Sequence, residues 1–267
     1  MQNFMPHLPQ FLMLGALAGF LAGLLGIGGG LILVPALALM LSGSDLAGNS
    51  VMHLALGTSL ASIVFTSLSS IVSHQRHRAI LWTVVKALAP GILLGAWLGG
   101  WLASLASSTT LKPVFGVFEL GVAVYMLLGH PVTALQSLPP KPLQHGLAGI
   151  VIGTISAIVG IGGGTLTTPY LSINGVALRN AIASSAACGL PIALAGSLSY
   201  IWYGWHKPDL PALSLGYVYL PALASIILTS MLMAPLGARL THRLPVTRLK
   251  KAFALLLVVV ALKLMLS

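Results

Sequence analysis

Residues 15–35 read GALAGFLAGLLGIGGGLILVP, and residues 149–169 read GIVIGTISAIVGIGGGTLTTP. Both stretches contain Gly-Ile-Gly-Gly-Gly, at 26–30 and at 160–164, an offset of 134. At that offset Gly15 meets Gly149, Gly19 meets Gly153 and Pro35 meets Pro169. Two further matches follow in the same order. Gly57-Thr58-Ser59 pairs with Ala183-Ser184-Ser185, and Leu111-Lys112 with Phe115 pairs with Leu249-Lys250 with Phe253. Three ordered matches describe a chain of two homologous halves, 1–130 and 146–267. They are joined by a linker, 131–145, that carries Pro131, Pro139, Pro140 and Pro142. Internal duplication of this kind recurs in secondary transporters.

The solvent for these halves follows from composition. Of 267 residues, 57% are hydrophobic and only 6% charged, against about 25% charged in soluble domains. The mean hydropathy is +0.99. Such a chain cannot clothe itself for water, so a soluble enzyme is excluded and a multi-pass all-α membrane protein is expected. Eight apolar segments can be marked, at 11–41, 50–73, 80–105, 111–128, 146–173, 181–203, 212–240 and 249–266. Trp82, Trp202 and Trp205 fall near segment ends, where an aromatic belt belongs. The single cysteine, Cys188, permits no internal disulfide. The first ten residues hold no Lys or Arg, so no cleaved signal peptide is expected.

The net charge is +10, from 13 cations against Asp45, Glu119 and Asp209. The cations are scattered singly between apolar runs and form no basic stripe, so nucleic-acid binding is not indicated. They read instead as topology signals and headgroup anchors in the lipid bilayer. Segments one and five, each about 30 residues long, are cut by the glycine clusters. If all eight segments span, the halves have one orientation and the cations divide almost evenly between the two sides. If segments one and five are hairpins that enter and leave on one side, each half has three spans and the halves are inverted repeats. Arg76, Arg78, Lys86, Lys141, Arg179, Arg239, Arg243, Arg248, Lys250 and Lys251 then share one face, and only Lys112, Lys207 and Lys263 lie opposite. The positive-inside rule favours the second arrangement, with both termini periplasmic.

The glycine clusters are the first candidate site. A helix broken at Gly26, Gly28, Gly29 and Gly30, or at Gly160, Gly162, Gly163 and Gly164 with Thr165 beside it, frees backbone N–H groups at the next helix start. Those donors and the helix dipole attract an anion. Exposed backbone at membrane depth belongs only where it lines a cavity or is buried in protein. Gly15, Gly19 and Gly23, at spacing four, read instead as a helix-packing stripe. Thr58, Ser59, Ser184 and Ser185 add hydroxyl donors; bonding to their own helix is the alternative. Thr167 and Thr168 follow Thr165 without hydroxyl counterparts in the first half.

Two titratable groups stand out. Glu119 lies mid-segment, opposite Leu257 in the repeat alignment; it could carry a coupled proton, be protonated, or neutralise Lys86. His53, five residues before Thr58, could sense pH or donate to an anion, or be a satisfied core histidine. Dinucleotide, P-loop, metal-protease and hydrolase motifs are lacking, and no metal site or cofactor is implied.

On these features the chain resembles the TauE/SafE family of membrane permeases, named for sulfite and sulfonate export. The carrying residues are Gly19 through Gly30 with Pro35, their copy at Gly153 through Gly164 with Pro169, the run His53-Leu54-Ala55-Leu56-Gly57-Thr58-Ser59-Leu60, and Gly237-Ala238-Arg239-Leu240. The resemblance covers essentially the whole chain. It implies a bacterial inner-membrane protein acting on a small sulfur-containing anion. Ala183 replaces the glycine of the usual Gly-Thr-Ser in the second half. The expected function is secondary transport, as an exporter of sulfite or an organosulfonate by alternating access between the halves, with proton or membrane-potential coupling. A passive anion channel, or a permease subunit that requires a partner, is the alternative.

Overall fold

The computed structural model describes residues 8–25, 29–42, 48–128, 142–241 and 246–266. Among them are ten α-helices: α1 Leu8–Leu25, α2 Gly30–Ser42, α3 Val51–Arg76, α4 Trp82–Leu105, α5 Ser108–Leu128, α6 Pro142–Val159, α7 Gly164–Ile173, α8 Leu178–Gly204, α9 Leu220–Thr241 and α10 Val246–Leu266. A two-residue hairpin pairs β1 Ser214–Leu215 with β2 Val218–Tyr219. Helix is the form an apolar chain takes in lipid, because each spanning segment must satisfy its own backbone. Four stretches, Gly48–Arg76, Trp82–Leu105, Ser108–Leu128 and Leu178–Gly204, are long and apolar enough to cross a bilayer. With only 10 residues, α7 reaches about 15 Å, half the hydrocarbon thickness.

Side-chain pairings fix helix directions. Trp82 Nε1 donates to Gln75 Oε1 at one end of α3, and His53 Nε2 lies 2.9 Å from the Ala103 carbonyl at the other, so α3 and α4 are antiparallel. α8 is antiparallel to α3: Tyr200, Gly196 and Gly189 meet Gly57, Leu60 and Ser67 in turn. It is therefore parallel to α4, with Leu81 N–H bonded to Ser184 Oγ at one end and Ser199 Oγ to the Trp97 carbonyl further along. The end bearing the α3–α4 turn carries Arg76, Arg78 and Arg179 and is called the basic face below; the other is the distal face.

Glycine stripes seat two further pairs. Gly91, Gly95 and Gly99 of α4 press on Gly146, Ile150 and Thr154 of α6, so these helices are parallel. Gly15, Gly19 and Gly23 of α1 press likewise on Ile226, Ser230 and Ala234 of α9. A Cβ at any of these six glycines would collide with backbone of the facing helix, which is why small residues recur there. α2 packs on α3, α7 on α8, and α5 on α10.

Segments one and five, expected to be cut by the glycine clusters, are each two helices, with α1 ending at Leu25 before α2 starts at Gly30 and α6 ending at Val159 before α7 starts at Gly164. The segment boundaries need two corrections. Segment seven starts as a helix at Leu220 rather than 212. Residues 214–219 form the β-hairpin, whose turn uses Gly216 at φ +54. α6 begins at Pro142, four residues before the expected 146, with proline at the helix start where its missing N–H costs nothing. Residues 129–141, most of the expected linker, lie outside the described residues.

Candidate anion site at the glycine breaks

Gly160 ends α6 at φ +69, a conformation glycine adopts without steric cost. The chain then runs through Ile161 and Gly162, alongside α3, to Gly163 and the start of α7. Ser59 Oγ donates to the Gly160 carbonyl (2.8 Å), and Gly162 lies against Ile63, so this break crosses the middle of α3. The first break meets it there: a Cβ on Gly30 would come within 2.6 Å of the Gly160 carbonyl oxygen and 2.9 Å of Ile161 Cα. Gly30 at the end of the first break is thus in direct contact with the second break, alongside the middle of α3. Gly26 and Gly28 lie outside the described residues; Gly29 is buried, with its nearest neighbours at 3.4 Å or more from an added Cβ.

The α7 start is the donor-rich end. The N–H groups of Gly162, Gly163, Gly164, Thr165 and Leu166 have no protein acceptor, while Thr167 N–H bonds back to the Gly163 carbonyl at 2.8 Å. Free N–H groups and the dipole at a helix start favour negative charge. Gly163 fits against Ser185 O, Gly189 and Thr167, where a Cβ would stand 2.6 Å from the Ser185 carbonyl oxygen. Thr165 Oγ1 and Thr167 Oγ1 are buried without any hydrogen-bond partner, and Thr167 is fully buried. A buried unpaired hydroxyl costs roughly 1–3 kcal/mol; Ser156 and Ser172 Oγ are buried and unpaired as well. Thr168 Oγ1 bonds Ser185 Oγ at 2.7 Å, and Ser185 Oγ donates to the Ile182 carbonyl.

The other hydroxyls have different work. Thr58 Oγ1 accepts from Tyr219 N–H (3.0 Å) just before α9, and Ser184 Oγ accepts from Leu81 N–H (2.9 Å) just before α4. Each satisfies one orphan donor at a helix start. Of the sequence candidates, the structure thus gathers Ser59, Gly160, Gly162, Gly163, Gly164, Thr165, Ser185, Gly29 and Gly30 around the breaks and sets Thr58 and Ser184 in latches. Thr167 and Gly189 were not singled out from sequence, since only packing shows that one hydroxyl is orphaned and the other glycine faces Gly163.

His53 sits toward the distal end, nearly buried, its ring stacked on Tyr217 with centroids 4.7 Å apart; Nδ1 has no partner. Glu119 is fully buried on α5, and neither carboxyl oxygen has a partner. Of the three alternatives for Glu119, neutralisation of Lys86 is overturned: Lys86 is exposed and forms no bond to it.

A bundle of apolar helices, with four stretches long enough to cross a bilayer and two helix breaks in contact, defines a multi-pass membrane protein. The chain belongs to the sulfite exporter TauE/SafE family, whose model matches residues 11–264. It is 41% identical over 256 residues to a probable membrane transporter protein of Haemophilus influenzae, covering 96% of this chain and 97% of that one. A probable membrane transporter protein of Methanocaldococcus jannaschii is 26% identical, over 91% of this chain and 89% of that relative. No solved structure matches.

Proposed function

We propose that this protein is a secondary transporter that exports a small oxyanion, sulfite or an organosulfonate being the class the family name suggests. The observation that carries the reading is the cluster of unpaired donors at the α7 start, with Thr165 and Thr167, a few residues beyond the point where Gly30 meets Gly160. Every donor there is neutral. Binding would rest on oriented N–H and O–H dipoles, which release an anion more readily than a fixed buried cation would.

Alternating access needs two halves that can rock, and the pairings support inverted repeats. The offset of 134 carries Gly15 and Gly19 onto Gly149 and Gly153, while 138 carries Leu88 and Ile92 onto Ile226 and Ser230; Gly15 packs on Ile226 as Gly149 packs on Leu88, and Gly19 on Ser230 as Gly153 on Ile92. The Thr58–Tyr219 bond maps in the same way onto Ser184–Leu81. Since α3 and α8 are antiparallel, the copies run oppositely. In this reading α1–α2 and α6–α7 are hairpins turning at the glycines. The basic face is then cytoplasmic, with Arg76, Arg78, Lys86 and Arg179 on it and Lys112, Lys207 and Lys263 opposite. In that orientation an inside-negative potential drives anion exit, with about 2.3 kcal/mol per charge per 100 mV. Glu119, unpaired in the bundle, is the candidate carrier of a coupled proton.

Thermal unfolding of the purified protein with added sulfite, sulfoacetate or chloride tests the site. A ligand at a hundred times its Kd stabilises by about 2.7 kcal/mol. Concentration-dependent stabilisation by sulfite or sulfoacetate, lost in Thr165→Val with Thr167→Val, is expected; equal response to all three salts would count against the site.

A further inference from the structure

A transport site must communicate with water, and α3 carries a feature suited to that. On a helix turning 100° per residue, Ser59, Ser62, Thr66, Ser69, Ser70 and Ser73 fall within a sector of roughly 100°. The line starts at the glycine break, where Ser59 holds the Gly160 carbonyl, and ends at the basic face beside Arg76 and Arg78. Along it the environment changes. Ser59 and Ser62 are fully buried, Thr66 and Ser70 half-buried, Ser69 and Ser73 exposed. Ser62 and Thr66 donate to the carbonyls of Ser59 and Ile63. Ser69, Ser70 and Ser73 have no protein partner. Three hydroxyls without partners on one face of a spanning helix ask for water. The exposed apolar side chains Phe65, Leu68 and Val72 occupy the adjoining sector, suited to lipid.

The matching face of α8 has the opposite character. An offset of 126 pairs Ser62, Thr66, Ser69, Ser70 and Ser73 with Cys188, Ile192, Ala195, Gly196 and Ser199, and all five are buried. There Ser199 Oγ is tied to the Trp97 carbonyl and Gly100 packs on the same serine. Beyond them Tyr200 meets Tyr217 edge to face and Tyr217 stacks on His53, with Tyr200 Oη bonded to the Ala157 carbonyl (3.2 Å). The distal route is packed shut. The inner end of the polar face is tied to the break itself, through the Ser59 bond to the Gly160 carbonyl and the contact of Gly162 with Ile63.

We infer that the hydroxyl face of α3 from Ser62 to Ser73 lines the aqueous passage along which a small oxyanion moves between the glycine breaks and the basic face, and that the structure is open toward that face and closed toward the distal one. The inference rests on the transport reading for its cargo, but the passage itself can be tested without any substrate. Single-cysteine variants Ser69→Cys, Ser70→Cys, Ser73→Cys, Leu68→Cys, Val72→Cys, Ala195→Cys and Ser199→Cys, each with Cys188→Ala, are treated in membranes of defined orientation with an anionic, membrane-impermeant thiosulfonate. Thiols react as thiolates, which apolar surroundings suppress. Cysteines at 69, 70 and 73 should therefore react at least about tenfold faster than those at 68 and 72, and only from the basic face. Those at 195 and 199 should stay unreactive from either side. Three serine positions are tested, so loss of one variant to misfolding leaves the pattern readable. Equal rates at 69, 70, 73, 68 and 72, or preferential modification at 195 and 199, would overturn the inference. Labelling as expected in a protein that moves no anion would retain the passage and remove the cargo.

Discussion

Replacing Thr167 by valine separates binding from folding in a way few substitutions can. Thr167 is fully buried, and its Oγ1 has no partner in the free protein. Valine has nearly the same shape and lacks only the hydroxyl. An unsatisfied buried hydroxyl costs about 1–3 kcal/mol, so Thr167→Val should leave the ligand-free protein as stable as the parent or stabilise it by up to that amount. With an oxyanion bound, the same hydroxyl donates to a charged acceptor, a bond worth about 1.5–3 kcal/mol. Losing it should weaken binding by roughly 10- to 150-fold at 1.4 kcal/mol per decade. The two effects have opposite signs. The assay is thermal unfolding of both proteins without ligand and across a sulfite titration, which gives stability and Kd from one set of curves. A variant that is destabilised without ligand yet binds sulfite as tightly as the parent would show that the hydroxyl has a structural partner and that the α7 start is not the site.

Other substitutions follow from the same geometry. Gly29→Ala should fold normally, because its Cβ meets nothing closer than 3.4 Å, whereas Gly163→Ala should lose folded yield, its Cβ standing 2.6 Å from the Ser185 carbonyl oxygen; monodispersity on size-exclusion separates them. Thr58→Val and Ser184→Ala should each lower stability by about 1 kcal/mol, since each orphans a buried backbone N–H at a helix start, and should leave sulfite Kd unchanged. Glu119→Gln should fold normally, its carboxyl having no partner to lose, and should retain anion exchange while losing uptake driven by a pH gradient; unaltered pH-driven uptake would assign Glu119 no part in coupling.

The class of the fold was legible because lipid leaves the sequence few options. Fifty-seven per cent hydrophobic content allowed only a helical bundle, and the repeated Gly-Ile-Gly-Gly-Gly marked where two helices break. The Gly15, Gly19 and Gly23 stripe was readable as packing because spacing four puts glycines on one helix face. Its partner, α9, was not readable, because nothing in a period of four names the facing helix. Segment seven was started too early since Leu213, Leu215 and Val218 are as apolar as helix residues, and only the left-handed Leu213 and Gly216 turn them into a hairpin. The glycine breaks came from the sequence, whereas the division of labour among hydroxyls did not. Thr58 and Thr167 are both buried threonines near glycines, and they differ only in whether a distant N–H, that of Tyr219, happens to reach one of them. The serine run of α3 likewise looked like ordinary helix until its copy in α8 proved wholly buried.

The central claim is that this chain alone carries a small oxyanion across a membrane at the glycine breaks. Counterflow tests it most directly: proteoliposomes holding only the purified protein are loaded with unlabelled sulfite and diluted into a trace of labelled sulfite. Transient accumulation of label above equilibrium, saturable, competed by sulfoacetate and weakened in Thr167→Val, is the predicted result. Folded protein that gives no overshoot, or a flux linear in sulfite concentration and indifferent to Thr167→Val, would contradict it.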